Sequence, residues 1–215
     1  MVNISAVRDA NGKTRNYVAL FTDVTPMKER QQQIEYLAHY DVLTGLPNRV
    51  LLADRLQHAL AQSQRHGRPL VLAYLDLDGF KAVNDNHGHE VGDNLLVAVT
   101  SRMKETLREG DTLARIGGDE FVAMIDDLEN PDDLGPVLVR LLHAVADPLV
   151  VNGVVLNVSA SIGVTRYPQD EGDAETLLRH ADQAMYVAKQ AGKNRYHLFD
   201  AGQARAAAGR QAAAV

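Results

Sequence analysis

The sequence predicts an α/β protein whose central mixed, largely antiparallel β-sheet carries helices on its faces. Residues 70–75 form a continuous apolar run that ends in Asp-x-Asp, which indicates a buried strand. Residues 113–124 hold two apolar stretches around a Gly-Gly pair, which predicts a tight hairpin. Residues 50–65 repeat leucine at helical spacing, which predicts an amphipathic helix that covers the sheet.

The composition predicts one main domain. The chain has 215 residues, 46% hydrophobic and 23% charged, enough for one sizeable core and a small appendage. The absence of cysteine excludes a disulfide framework and a thiolate metal site. A net charge of −6 disfavours binding to a nucleic acid polymer. Because the sequence has no apolar run of membrane-spanning length and no signal-peptide pattern, we expect no direct membrane contact and a cytoplasmic location for this portion of the protein.

The first 40 residues predict a hairpin and a helix. Two strand-like runs flank Asn11-Gly12, a good hairpin turn, in residues 1–25. An isolated hairpin is marginal in water, so this one indicates either the end of a larger sheet domain or a short arm. Thr25 followed by Pro26 favours a helix start, and residues 26–40 have a narrow apolar stripe. That stripe suits a two-helix coiled linker or a plain capping helix.

The remaining elements follow in order. Residues 41–49 predict a turn-rich entry, and a short helix opens after residue 79, where its N-terminal amides and Lys81 could meet phosphate oxygens. Residues 93–107 and 131–145 predict helices. Residues 148–164 predict a hairpin around Asn152-Gly153 and a core strand over 156–164 with Gly163 at a close-packing point. Residues 174–191 predict the last long helix, and residues 201–215 an Ala-rich tail or linker.

The predicted hairpin turn carries the chemistry. Gly117 and Gly118 permit a positive φ and let phosphates approach the backbone. Asp119 and Glu120 place two carboxylates beside that opening, which is unfavourable unless a cation or a proton lies between them. An ordinary solvated acidic turn would also fit these four residues. Asp76, at the end of the preceding apolar strand, favours a Mg²⁺ site shared with Asp119 against a nucleoside triphosphate.

Several segments resemble one known family in the right order. Gly117-Gly118-Asp119-Glu120-Phe121 is the signature of the GGDEF domains, the diguanylate cyclases that join two GTP into cyclic di-GMP. The resemblance extends over residues 41–199 and includes the segments 41–49, 76–85, 88–93 and 188–195. It implies a palm-like nucleotidyl cyclase domain over residues 41–200, preceded by the end of a PAS-like sensor domain over 1–25 and a linker helix over 26–40.

The resemblance also implies a reaction and its residues. We expect a homodimer that uses Mg²⁺, with Mn²⁺ as a possible substitute, and that is inhibited by its product cyclic di-GMP. The implied catalytic residues are Asp119, Glu120 and Lys81, and the implied metal ligands are Asp76, Leu77 and Asp119. The implied GTP-binding residues are Phe80, Asn84, Asp93, Gly117, Gly118, Lys189 and Lys193. Asn84 and Asp93 would face the guanine edge, although both also suit helix caps.

Arg108 and Asp111 have two interpretations. In the family, Arg-x-x-Asp at this distance before the signature is the inhibitory product site. The alternative is a helix C-cap, with Arg108 favoured by the helix dipole and Gly110 as the terminator.

A second class of function competes with the enzyme. A degenerate cyclase domain would bind GTP or cyclic di-GMP and regulate a neighbouring domain without turnover. Lys193 stands where many relatives carry Arg, which keeps the charge but loses the planar fork. The enzyme is favoured because the whole set of implied site residues is intact: Asp76, Asp119, Glu120, Lys81, Asn84 and Asp93.

Overall fold

The computed structural model describes residues 2–126, 128, 130–151 and 153–201. The chain divides into two compact units, Met1–Ala38 and His39–Val215. Asn152 of the predicted second hairpin turn lies outside the described residues, as does most of the predicted tail.

The first unit contains a hairpin followed by a helix. Strands β1 (Val2–Arg8) and β2 (Thr14–Phe21) pair antiparallel, and Gly12 adopts a φ of 79° in their turn. The carboxylate of Asp9 accepts hydrogen bonds from the N–H groups of Asn11 and Lys13 and so closes the loop. Helix α1 (Thr25–His39) follows. The PAS-like origin of the hairpin stays a prediction.

The second unit alternates helices and strands. Its elements are α2 (Arg49–His66), β3 (Leu70–Asp78), α3 (Phe80–His87), α4 (His89–Thr106), β4 (Thr112–Gly117), β5 (Glu120–Asp126), a 3₁₀ turn (Pro131–Asp133), α5 (Leu134–Ala146), β6 (Leu149–Val151), β7 (Val154–Leu156), β8 (Ser159–Tyr167), α6 (Ala174–Gln190) and β9 (Arg195–Leu198). Helix α2 begins where the Asn48 side chain accepts from two backbone N–H groups, and it ends at Gly67 in the left-handed region.

The main sheet confirms the predicted fold class. Its strand order is β4-β5-β3-β8-β9, and every neighbouring pair is antiparallel except β8 with β9, so the sheet is mixed and largely antiparallel. Strand β3 is buried along its whole length at the centre. Its alternate residues Val71, Ala73, Leu75 and Leu77 join the larger core with α4 and α5, whereas Leu72 and Tyr74 face α2 and α6.

Two expectations about single residues have opposite outcomes. Gly163 on β8 is a close-packing point, as predicted: a Cβ there would lie 1.9 Å from the carbonyl oxygen of Ala181 on α6. Gly110 is not the terminator of α4, because the helix ends at Thr106 and Leu107 is its cap. Gly110 lies in the turn beyond that cap.

The expected strand over residues 156–164 is wrong in its bounds. Strand β7 ends at Leu156 within a separate two-stranded sheet with β6, and β8 begins only at Ser159. The chain leaves the small sheet after Leu156 and joins the main one at Ser159, so the strand is broken although the apolar pattern continues. Within the described part of the chain, no helix is long and apolar enough to cross a membrane.

Candidate active site

The carboxylates predicted to bind metal meet at the edge of the sheet where β3 ends. Asp76 lies opposite Glu120 on β5 and opposite Ser161 on β8. The N–H of Leu77 donates to the carbonyl oxygen of Asp119 at 3.2 Å. Pairing therefore brings Asp76, Leu77, Asp119 and Glu120 together, although they are far apart in the sequence.

The Gly-Gly segment is a two-residue turn. Gly117 pairs with Glu120, so Gly118 and Asp119 are the turn residues, and Gly118 has a φ of 51°. Burial, and next the negative charge of Asp76, raise the pKa of Asp119 above its ordinary value. Two carboxylates held this close favour a bound cation, which would remove their repulsion.

Arg115 holds this turn in place. Its Nε and one terminal nitrogen donate to the Gly118 carbonyl oxygen at 3.0 and 2.8 Å. The other terminal nitrogen donates to both oxygens of Asp41, at 3.0 and 3.2 Å. Burial alone would raise the pKa of Asp41, but hydrogen bonds from Thr44 and Arg115 outweigh it and lower that pKa. Neither residue of this pair was among the predicted site residues, since 74 positions separate them in the chain.

Two further side chains contact carboxylates of this site from the α6 face of the sheet. Lys189 on α6 forms an ion pair with Asp76, with 2.7 Å between Nζ and Oδ2. Tyr74, two residues before Asp76, faces Glu120. Burial, and then the Glu120 charge and a hydrogen bond with that carboxylate, raise the pKa of Tyr74 to about 12. Tyr74 was not among the predicted site residues.

The residues assigned to guanine lie where α3 meets α4. Asn84 on α3 is partly buried, and its Oδ1 is buried with no hydrogen-bond partner among the described residues. A Cβ on Gly92 of α4 would lie 1.9 Å from that oxygen, so Asn84 fits only beside a glycine. Asp93 follows Gly92 and is exposed. An unpaired buried acceptor is costly, so a ligand with N–H donors would suit this position.

The phosphate-binding candidates surround the same edge of the sheet. Phe80 is the first residue of α3 and is buried in the core, whereas Lys81 beside it is exposed. Lys193 is exposed in the turn between α6 and β9. Asp78, which was not among the predicted site residues, accepts hydrogen bonds from Ser159, Ser161 and the N–H of Asn194 in that turn.

Arg108 and Asp111 lie at the opposite end of β4 from the Gly-Gly turn. The N–H of Arg108 donates to Asp111 Oδ2 at 2.9 Å, and the N–H of Asp111 donates to the Arg108 carbonyl oxygen at 3.0 Å. Both residues line a cavity of about 180 Å³ together with Arg55 and Lys104. The carboxylate orders the turn, and the exposed guanidinium of Arg108 points to no protein partner in the described part of the chain.

Comparison with known proteins identifies the family. Residues 38–195 match the sequence profile of the family described as "Diguanylate cyclase, GGDEF domain". The chain belongs to the GGDEF family. It is 42% identical over 176 residues to the bifunctional diguanylate cyclase/cyclic di-GMP phosphodiesterase MucR of Pseudomonas aeruginosa, covering 82% of this chain and 26% of MucR. Other matching relatives are named cyclic di-GMP phosphodiesterases.

Solved structures agree with the GGDEF fold. The GGDEF domain of TpbB from Pseudomonas aeruginosa has a TM-score of 0.75 and 34% identity, and the match covers 78% of this chain and 98% of that one. The coiled coil and GGDEF domain of DgcB from Caulobacter crescentus, in complex with cyclic di-GMP, has a TM-score of 0.73 and 27% identity, with 81% and 93% covered. The chain spans about a quarter to two fifths of the length of the first curated relatives it matches.

The donor set of this GGDEF domain fits a hard divalent cation. Among the described residues, no group of three or more His, Cys, Asp or Glu side chains could hold a metal ion by itself. Asp76 and Asp119 supply two carboxylates, and the backbone carbonyl of Leu77, the residue after Asp76, is a third candidate oxygen. Mg²⁺ is usually held by one or two carboxylates, substrate phosphates and water, so this smaller protein set is adequate.

Proposed function

We propose that this GGDEF domain is a diguanylate cyclase that condenses two GTP into cyclic di-GMP and two pyrophosphates. The observation that supports it most is the pairing of β3 with β5, which sets Asp76 opposite Glu120 and next to the raised-pKa carboxylate of Asp119. Such a pair beside an open glycine turn is what a phosphate-bearing ligand and a divalent cation require.

Each part of GTP has a complementary group. Asn84 and Asp93 would accept from the N1–H and N2–H₂ donors of guanine, which would satisfy the unpaired Asn84 Oδ1. The triphosphate would lie over the glycine turn and the first turn of α3, where Lys81, Lys189 and Lys193 supply positive charge. Mg²⁺, or Mn²⁺ in its place, would be held by Asp76, Asp119 and the Leu77 carbonyl and would neutralise charge on the phosphate oxygens.

The reaction requires two chains. The 3′-hydroxyl of one GTP attacks the α-phosphate of the other, so a new O–P bond forms as the bond to pyrophosphate breaks, and the second half repeats this in reverse roles. One chain offers one such triphosphate site, so two protomers must face each other across the nucleotides. Glu120, at the first position of β5, is the candidate acceptor of the 3′-hydroxyl proton. Helix α1 is the segment that could hold two chains together, because Ile34 and Leu37 on it are exposed.

Product feedback is assigned to Arg108 and Asp111. The guanidinium can fork onto guanine O6 and N7 of cyclic di-GMP, and the structure leaves it exposed beside Asp111. This site lies at the other end of β4, so its ligand would act on the distance between protomers rather than on the carboxylates.

A regulatory module without turnover is the second candidate. Relatives named as phosphodiesterases support it, since in such proteins the matched portion would serve a neighbouring domain. Lys189 also forms an ion pair with Asp76, and this ammonium would compete with a metal cation for that carboxylate.

Product analysis separates the two candidates. The purified protein is incubated with GTP and Mg²⁺, and Asp119→Asn serves as the control that keeps the shape of the turn but removes one metal ligand. Cyclic di-GMP formed by the wild type alone supports the cyclase, and specific activity should rise with protein concentration. GTP that binds but is never converted would favour the regulatory module.

A further inference from the structure

Asp78 is the second carboxylate of the Asp-x-Asp pair, and its surroundings differ from those of Asp76. Its side chain is buried, with 8% exposed. Ser161 Oγ donates to its Oδ1 at 2.9 Å, and Ser159 Oγ and the Asn194 N–H donate to its Oδ2 at 2.8 and 3.3 Å. Both oxygens are therefore engaged by donors of the protein itself. Three protein donors thus contact Asp78, whereas Asp76 forms an ion pair with the Lys189 side chain.

The turn that Asp78 contacts has an unusual backbone. Lys193 and Asn194 are consecutive non-glycine residues with φ values of 60° and 47°. Lysine seldom adopts this left-handed region, and such a conformation persists only where neighbouring groups hold it. The Lys193 N–H donates to the Ala188 carbonyl oxygen at 3.1 Å, which ties the turn to α6. The Asn194 N–H ties it to Asp78, and so to the central strand.

We propose that Asp78 is a positioning residue that fastens this turn to the sheet and so directs the Lys193 ammonium toward the triphosphate. The proposal rests on the proposed function, because only there does Lys193 meet phosphate. A lysine has a long flexible side chain, so the direction of its charge depends on the backbone that carries it. Because three protein donors already hydrogen-bond its two oxygens, we assign the divalent cation to Asp76 and not to Asp78.

The two serines on β8 link Asp78 to the metal-binding end of β3. Asp78 and Asp76 lie opposite Ser159 and Ser161 in the register of β3 with β8. Ser161 is fully buried, and its hydroxyl reaches from its own position opposite Asp76 to the Asp78 carboxylate. The same stretch of β8 also pairs with Arg195, the residue that follows the turn. The metal-binding end of β3 and the lysine turn are thereby joined by one hydrogen-bonded unit.

The test compares Asp78→Asn with Lys193→Ala and with the double variant. Asn keeps the shape of the side chain but replaces one acceptor oxygen by an amide donor. The matched control is Asp170→Asn, because Asp170 accepts from Thr165 Oγ1 at 2.9 Å and from the Arg166 N–H at 2.8 Å on the same strand, away from the carboxylates. The measurements are binding of a non-hydrolysable GTP analogue with Mg²⁺, the Mg²⁺ concentration for half-maximal binding, and amide exchange at Asn194.

The proposal predicts that Asp78→Asn weakens analogue binding about tenfold, the loss of one charge-assisted contact. The double variant should be no weaker than Lys193→Ala alone, the Mg²⁺ requirement should not change, and exchange at Asn194 should become faster. Asp170→Asn should change none of these. If Asp78→Asn cannot be purified folded, Asp78→Glu, which displaces the carboxylate by one methylene, takes its place.

The measurements distinguish a failure of the positioning role from a failure of the proposed function. Additive losses in the double variant, or a raised Mg²⁺ requirement in Asp78→Asn, would overturn the positioning role while the cyclase proposal stands. A wild-type protein that neither binds nor converts GTP would refute the proposed function instead. Exchange at Asn194 then decides whether Asp78 fastens the turn, and exchange unchanged in Asp78→Asn would overturn that too.

Discussion

Replacing Arg115 by lysine tests whether the hydrogen bonds from its guanidinium to the glycine turn are needed for turnover. The guanidinium donates to the Gly118 carbonyl through two nitrogens and to the Asp41 carboxylate through a third. Lysine keeps the charge, but its single ammonium cannot reach both partners in this geometry. Arg115→Lys therefore removes the link between the turn and Asp41 without removing a positive charge.

The expected loss of stability follows from the exposure of the pair. A hydrogen bond to a charged group contributes about 1.5–3 kcal/mol when it is well shielded. The side chains of Arg115 and Asp41 are 11% and 24% exposed, so solvent weakens the pair. Since lysine retains one of the two partners, we expect the free energy of unfolding to fall by about 2 kcal/mol. For a domain of this size, that corresponds to a Tm lower by roughly 4–8 °C.

Arg115→Lys should lower activity by more than its loss of stability accounts for. The Gly118 carbonyl directly precedes Asp119, so a freed turn displaces a candidate metal ligand, and we expect initial rates about tenfold lower at a temperature where the variant is fully folded. Arg102→Lys is the matched control, because the Arg102 guanidinium also donates to two acceptors, the carbonyl oxygens of Asp147 and Pro148 at 2.6 and 3.1 Å, and lines neither proposed site. Equal rates for Arg115→Lys and wild type, or equal losses in both variants, would refute the reasoning.

Three further predictions concern packing, feedback and pH. Gly163→Ala should lower Tm markedly and weaken GTP binding, because its Cβ would meet the backbone of the helix that carries Lys189; unchanged melting would contradict the close contact. Arg108→Ala should raise the cyclic di-GMP concentration that halves the rate, and unchanged inhibition would leave Arg108 and Asp111 as a turn only. The raised pKa of Asp119 means that its ionised form destabilises the metal-free fold, so stability falls as pH rises through that pKa. Asp119→Asn should therefore melt higher than wild type at neutral pH without divalent cations, and the gap should close as the pH falls.

The sequence predicted the fold because its strands and helices have strong, different periods. The continuous apolar run predicted strand β3, and the leucines at helical spacing predicted helix α2. The break between β7 and β8 was not predictable in this way, since residues 156–164 continue the apolar pattern through both strands. Membership in a second sheet is a tertiary property, and local pattern does not record it.

The acidic residues of the candidate site were predictable from the sequence, but the side chains that contact and hold them were not. Carboxylates after a buried strand and beside two glycines are a local signal, whereas the partner of Arg115 lies 74 residues away and Tyr74 has the pattern of an ordinary strand residue. For Arg115, a positive residue next to an acidic turn was the available hint. This hint could not show that the Arg115 guanidinium also donates to the Asp41 carboxylate.

The local sequence pattern does not distinguish Asp76 from Asp78. Both are aspartates on one face of one strand, and both are buried. Their difference comes from what β8 and the turn after α6 bring to each: one side chain meets a lysine, and the other meets two hydroxyls and a backbone N–H. A metal cation could take the place of the single ammonium beside Asp76, whereas at Asp78 it would compete with three hydrogen bonds from the protein. The division of roles within Asp-x-Asp is therefore set by residues more than 80 positions away in the chain.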